Sequence, residues 1–176
     1  MVMTASTHAT IARSDPIGLE VDTISEENLF WKSMPESAAC LPASLATIVE
    51  RLHRANPARM KYELLIRYAQ KLPPFPASAK IPAHQVKGCT SQVWLVTHLD
   101  DQGRVQISGD ADSQLVKGLL AILVLGLNGL TPTEILALPP DFIKLTGLDV
   151  SLTPSRNNGF VNMVNFLKKQ VMAYLN

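Results

Sequence analysis

Apolar positions along this chain recur first at helical spacing, then in one strand-like block, then at helical spacing again. Leu45, Ile48, Val49 and Leu52 fall at i, i+3, i+4 and i+7, the stripe of an amphipathic helix from about Ala43 to Ala55. Asn56-Pro57 predicts a restart, with Asn56 as the cap and Pro57 in the first helical position. The second helix is expected to run to about Lys71, with Met60, Leu64, Ile66 and Tyr68 available for packing. Pro73, Pro74, Pro76 and Pro82 then forbid regular structure. Val93–Leu99 and Arg104–Ser108 read as antiparallel strands joined by the turn Asp100-Asp101-Gln102-Gly103.

From Gln114 to about Leu127 the chain is apolar almost all round, as a central buried helix should be, and Asp112 or Ser113 is expected to cap it. Gly118 and Gly126 inside it point to close backbone approach. Thr131-Pro132-Thr133-Glu134 has the spacing of a capping box and starts a short helix to Ala137. Another turn is expected over Asp141–Leu145, then a helical turn from Thr153 interrupted at Asn157-Asn158-Gly159. In the last helix Phe160, Met163, Val164, Leu167, Val171 and Tyr174 share one face, and Lys168 and Lys169 complement the dipole at its end. The sum is an α+β fold: a small antiparallel β-sheet with helices packed on one face.

Composition narrows the picture. The 176 residues fit one domain, expected over 43–176, with 1–42 as an extension that is disordered or loosely docked through Leu29, Phe30 and Trp31. Sixteen bases against 15 acids leave a net charge of +1, which argues against nucleic acid or an anionic membrane as partner. Cys40 and Cys89 are the two cysteines, and no signal-peptide pattern precedes them, so a reducing cytoplasm is expected rather than a disulfide framework. The most hydrophobic run, Leu119–Leu130, is far short of the ~20 residues a spanning helix needs, so a soluble chain is expected.

The chemistry concentrates in Val86-Lys87-Gly88-Cys89-Thr90-Ser91-Gln92-Val93-Trp94-Leu95. Gly88 allows a sharp turn that presents Cys89 at a loop tip, just before a rigid strand. Lys87 and the N–H groups around the turn are candidates for favouring a thiolate. On composition alone a free cysteine is more often a small buried hydrophobe.

This stretch resembles the V-x-G-C-x-S-x-V-W-L signature of SufE proteins, the sulfur acceptors that partner cysteine desulfurases in iron–sulfur cluster assembly. Similarity continues in Tyr62–Ile66 with Lys71-Leu72-Pro73, in Gly109-Asp110-Ala111-Asp112, in Val116-Lys117-Gly118-Leu119 and in Thr153-Pro154-Ser155-Arg156-Asn157-Asn158-Gly159. Small residues are exchanged around the two acids: Ala111 stands where the family has serine, and Ser113 where it has alanine. Ser151 and His84 occupy places where family members often have histidine and asparagine, so no histidine role carries over there.

The resemblance implies the fold shared with U-type cluster scaffolds, over roughly residues 43–176. It implies Cys89 as persulfide acceptor, with Ser91 and Gln92 in the supporting loop. The partners it implies are a PLP-dependent cysteine desulfurase of the SufS type and a cluster scaffold as sulfur recipient. No cofactor or metal of the chain's own is expected, and a homodimer stays open. For Asp110 and Asp112, helix capping is weighed above partner contact. Lys117 is read as pairing with one of them or touching the desulfurase, and Arg156 as docking to the desulfurase or making an internal ion pair.

Two other classes are weighed beside it. A cluster scaffold needs several cysteine ligands, and beyond Cys89 there is only Cys40, otherwise read as structural or incidental ahead of a disulfide trap under oxidation. A cysteine hydrolase would use Cys89 with His84 or His98 as base, although His98 sits among core-like residues.

Overall fold

The structure is a computed structural model and describes residues 41–139 and 141–175. The expectations for Leu29–Trp31 and Cys40 lie outside the described residues. Helices α1 (Ala43–Arg54) and α2 (Ala58–Lys71) lead into a proline-rich strap carrying two short 3-10 turns, Ala77–Ala79 and Pro82–His84. Strands β1 (Val93–Leu99) and β2 (Val105–Ala111) follow, then helix α3 (Gln114–Leu127), the short α4 (Pro132–Leu136), a 3-10 turn at Phe142–Thr146, and α5 (Pro154–Met172).

The two strands pair antiparallel, Val93 opposite Ala111 and Leu99 opposite Val105. Val93 and Leu95 on β1, with Val105, Ile107 and Ala111 on β2, are buried. Helix α3 packs on β2 and α5 on β1, so the sheet lies under helices, the α+β layout expected. The sheet edges are occupied as well. The Val105 N–H donates to the Leu130 carbonyl (2.7 Å), and Gln170 Nε2 on α5 donates to the Leu95 carbonyl (3.2 Å).

Helix α3 is the centre of the core: Leu119, Leu120, Ile122 and Leu123 are fully buried. Each such side chain contributes about 1.5–3 kcal/mol relative to exposure. Its two glycines let neighbours in, as expected. A Cβ on Gly118 would lie 2.8 Å from Leu65 Cβ of α2 and nearer still to the Leu65 carbonyl, and one on Gly126 would lie 2.9 Å from Leu45 Cδ1 of α1.

The structure corrects several expectations. Pro57, with extended ψ of 174°, is the residue before α2 rather than its first helical residue, and Asn56 makes no side-chain cap. On α2 the buried residues are Lys61, Leu65, Tyr68 and Ala69; Leu64 packs half-buried against the core as expected, while Met60 and Ile66 are exposed. Strand β2 extends three positions further than expected, taking in Gly109, Asp110 and Ala111. Ser113 is the cap residue of α3, but neither it nor Asp112 supplies a side-chain cap. Asn157-Asn158-Gly159 does not interrupt α5, because Asn157 Nδ2 donates outward to the Asp149 carbonyl (2.7 Å) and Gly159 faces the cysteine loop. The Thr131–Glu134 capping box is present with both of its hydrogen bonds.

Candidate functional site

The cysteine loop is a short hairpin extension of β1. The Val86 N–H donates to the Val93 carbonyl (2.9 Å) and Gln85 bridges to Trp94, so residues 87–92 are pushed out as a closed loop. Gly88 has φ +76°, a left-handed conformation strained for any other residue but favourable for glycine. Its carbonyl accepts from Asn162 Nδ2 on α5 (3.0 Å), and the Asp112 N–H donates to the Gln92 carbonyl (3.1 Å) at the loop's other end. Gln92 is exposed and Ser91 half-buried.

Cys89 is half-buried, and its thiol donates to the Gly159 carbonyl at 3.5 Å. It sits in a small pocket walled by Val116 and Leu119 of α3 and by Ser155, Arg156, Gly159 and Met163 of α5, with Thr90 and Ser91 at the loop side. The free space is ≈ 10 Å³, about what one water-sized group needs. Burial pushes the thiol pKa up, so the resting sulfur is held as S–H. Lys87 does not counter this: it is exposed, and its Nζ donates to Gln85 Oε1 (3.2 Å). The positive features on the wall are Arg156 and the first turn of α5. Arg156 is half-buried and has no carboxylate within salt-bridge distance among the described residues, so the internal ion pair weighed for it is absent there.

Asp110 is engaged inside the molecule. Lys80 of the strap reaches one carboxylate oxygen (2.7 Å) and Lys117 of α3 the other (2.8 Å), while Lys80 Nζ also lies 5.1 Å from the Trp94 ring centre. Burial alone would raise its pKa, but the bonds from Lys117 and Lys80 and from the Ala111 N–H outweigh it and hold the carboxyl below the usual range. Of the two readings of Lys117, pairing with an acid is the one observed. Asp112, at the β2–α3 junction, is exposed.

Neither candidate base for a hydrolase reaches the thiol's pocket. His84 Nδ1 is bonded with the Ala79 carbonyl (2.8 Å), and His98 is exposed near the end of β1 rather than set in the core. Among the described residues no group of three or more His, Cys, Asp or Glu could hold a metal ion. The sequence reading did not single out Lys80 or Asn162, and it placed Met163 on the apolar face of the last helix without linking it to the thiol. The signal for α5's part was Gly159, a glycine at a buried helical position, which costs ~1 kcal/mol relative to alanine unless something needs the space.

A family model described as "SufE: Fe-S metabolism associated domain" matches residues 46–171. The chain belongs to the SufE family. An uncharacterized SufE-like protein of Synechocystis sp. is 48% identical over 147 residues, covering 84% of this chain and 92% of its own. SufE-like protein 1, chloroplastic/mitochondrial, of Arabidopsis thaliana is 42% identical over 132 residues, 75% of this chain but 36% of that protein. The chloroplastic quinolinate synthase of Nicotiana tabacum is 32% identical over 155 residues, 86% of this chain and 21% of that protein. Among solved structures, a hypothetical protein from Thermus thermophilus superposes with a TM-score of 0.67 at 26% identity, over 77% of this chain and 98% of its own. As a SufE protein the chain has a sulfur-transfer role in iron–sulfur metabolism, a family associated with cysteine desulfurases. No helix among the described residues is long and apolar enough to cross a membrane.

Proposed function

We propose that Cys89 accepts sulfane sulfur from a PLP-dependent cysteine desulfurase of the SufS type, stimulates that enzyme by unloading it, and passes the sulfur to a cluster scaffold. The observation that carries this reading is the Cys89 thiol at a loop tip, in a pocket with room for about one more atom. The step is a displacement at sulfur. Cys89 loses its proton, its thiolate attacks the outer sulfur of the donor persulfide, a new S–S bond forms and the donor thiolate leaves. No net oxidation occurs. Because burial favours S–H at rest, loading takes place when the loop is drawn away from α5 by the partner.

Arg156, Asp112 and Lys87 are the docking groups of this proposal. Arg156 has its fork of donors unspent on any described carboxylate, and the other two are exposed beside the loop. Asp110 and Lys117 act one step removed, by fixing the strap and the start of α3. Residues 43–176 are proposed as the working domain, acting in the cytoplasm.

The test is intact-protein mass after mixing with a cysteine desulfurase and cysteine. The expected result is a gain of one sulfur atom or more, mapped to the peptide holding Gly88–Thr90. Cys89→Ser should gain none and should leave desulfurase turnover unstimulated. Sulfur uptake by that variant overturns the proposal.

A further inference from the structure

On the carrier reading, the outer sulfur of a loaded Cys89 needs a place to rest. The second turn of α5 offers one. Gly159 is buried, its carbonyl accepts from Cys89 Sγ, and an ideal Cβ on it would have Sγ as its one neighbour within 4 Å beyond the backbone of its own helix, at 3.6 Å. A methyl group there would occupy the space next to the sulfur without striking the thiol itself. The adjoining walls are Met163 one turn on and Val116 across the pocket, both apolar and buried. A glycine inside a long helix is the costlier choice over alanine, so the missing side chain has to answer to something.

We propose that Gly159 is a positioning residue that sizes the pocket for the outer sulfur of the Cys89 persulfide, seating it against α5 and away from solvent reductants. The inference rests on the proposed persulfide chemistry and adds to it the residue that decides how long the sulfur is kept. Within the seat, the outer S–H takes over the Gly159 carbonyl as acceptor. Asn162, three residues further along α5, holds the loop down through the Gly88 carbonyl while the seat is filled.

The experiment compares two reactions in the full chain. Wild type and Gly159→Ala are loaded with a cysteine desulfurase and cysteine, freed of small molecules, and treated with dithiothreitol. Release breaks one S–S bond: dithiothreitol becomes its cyclic disulfide, and its two protons appear in the Cys89 thiol and hydrogen sulfide. The loss of persulfide is followed by intact mass, and the unloaded thiol of each protein is separately alkylated with iodoacetamide. A general loosening of the loop speeds both reactions together, whereas an overfilled seat speeds persulfide loss alone. The expected result is a rise of about tenfold in the ratio of persulfide loss to thiol alkylation in Gly159→Ala, the scale of forcing one methyl into a filled pocket. Val116→Ile, which intrudes from α3, should shift the ratio in the same direction and decides the matter if the glycine variant folds poorly. Wild-type loading with an unchanged ratio in the folded variants overturns the seat alone. Failure of the wild type to gain sulfur at Cys89 overturns the carrier reading and the seat with it.

Discussion

At Cys89, two demands on one sulfur are met by its position rather than by a charged neighbour. Its thiol is shielded enough for burial to raise the pKa, yet it sits on a loop tied to α5 by the Gly88–Asn162 and Cys89–Gly159 bonds. Alkylation of the resting protein should therefore follow a pH profile with its midpoint above that of free cysteine; a midpoint at or below the free value contradicts the sheltered state. The sign for stability follows. The folded state keeps its proton longer than the unfolded one, so this thiol's contribution falls as pH rises through the unfolded cysteine value and levels off above the folded one. Lys61 shows the opposite kind of site, a buried ammonium bonded to the carbonyls of Leu52, His53 (3.3 Å) and Thr146 (2.9 Å). Lys61→Ala leaves these acceptors without it and should cost about 2 kcal/mol in chemical denaturation. Nothing in the hydrophobic pattern marked Lys61 as interior, since a lysine reads as surface until its acceptors are known. The motif did mark Cys89 and Gly88, because a positive φ beside a reactive side chain is a local property of the chain.

Elements whose identity depends on side-chain periodicity were legible, and those decided by distant contacts were not. The bounds expected for β1 and α3 agree with the structure, as both are apolar runs with polar punctuation at each end. Asn157-Asn158-Gly159 looked like a break because all three residues are poor helix formers. In the fold Asn157 is bonded to the Asp149 carbonyl and Gly159 is buried against the cysteine loop, so tertiary contacts offset the poor propensity. The same holds for β2, which runs on through Gly109 because pairing with β1 continues to Val93. Gly118 gives the clearest prediction at this scale. Alanine there raises helix propensity, yet its Cβ would run into the Leu65 backbone, so Gly118→Ala should destabilise by about 1–3 kcal/mol or more. A thermal shift upward for that variant would refute the close α2–α3 contact.

For the molecule as a whole, the strap between α2 and the cysteine loop is fastened to the sheet and to α3 through one carboxylate. Lys80 and Lys117 converge on Asp110, and Lys80 also covers Trp94. Asp110→Asn should cost about 1–2 kcal/mol and raise protease cleavage between Pro73 and Val86, measured by limited proteolysis. Since the folded Asp110 pKa is depressed, its contribution is complete above the unfolded carboxylate value and is lost as pH falls through the folded one. Cleavage in the strap should rise over that acidic window in the wild type and stay flat in Asp110→Asn. Pairing of Lys117 with one of the two acids was legible in the sequence, but the part of Lys80 was not, because it stands in a proline-rich segment with no periodicity to show which way it points.

The bond from Cys89 to Gly159 spans 70 positions. A ribosome adding roughly 5–20 residues per second exposes the bare sulfur for about 4–14 s before its shelter has even been made. Each newborn copy thus passes through an interval in which cellular oxidants and electrophiles meet an unguarded nucleophile. Adducts acquired during translation that exceed the one-atom space beside the sulfur would then keep the loop from seating against the helix.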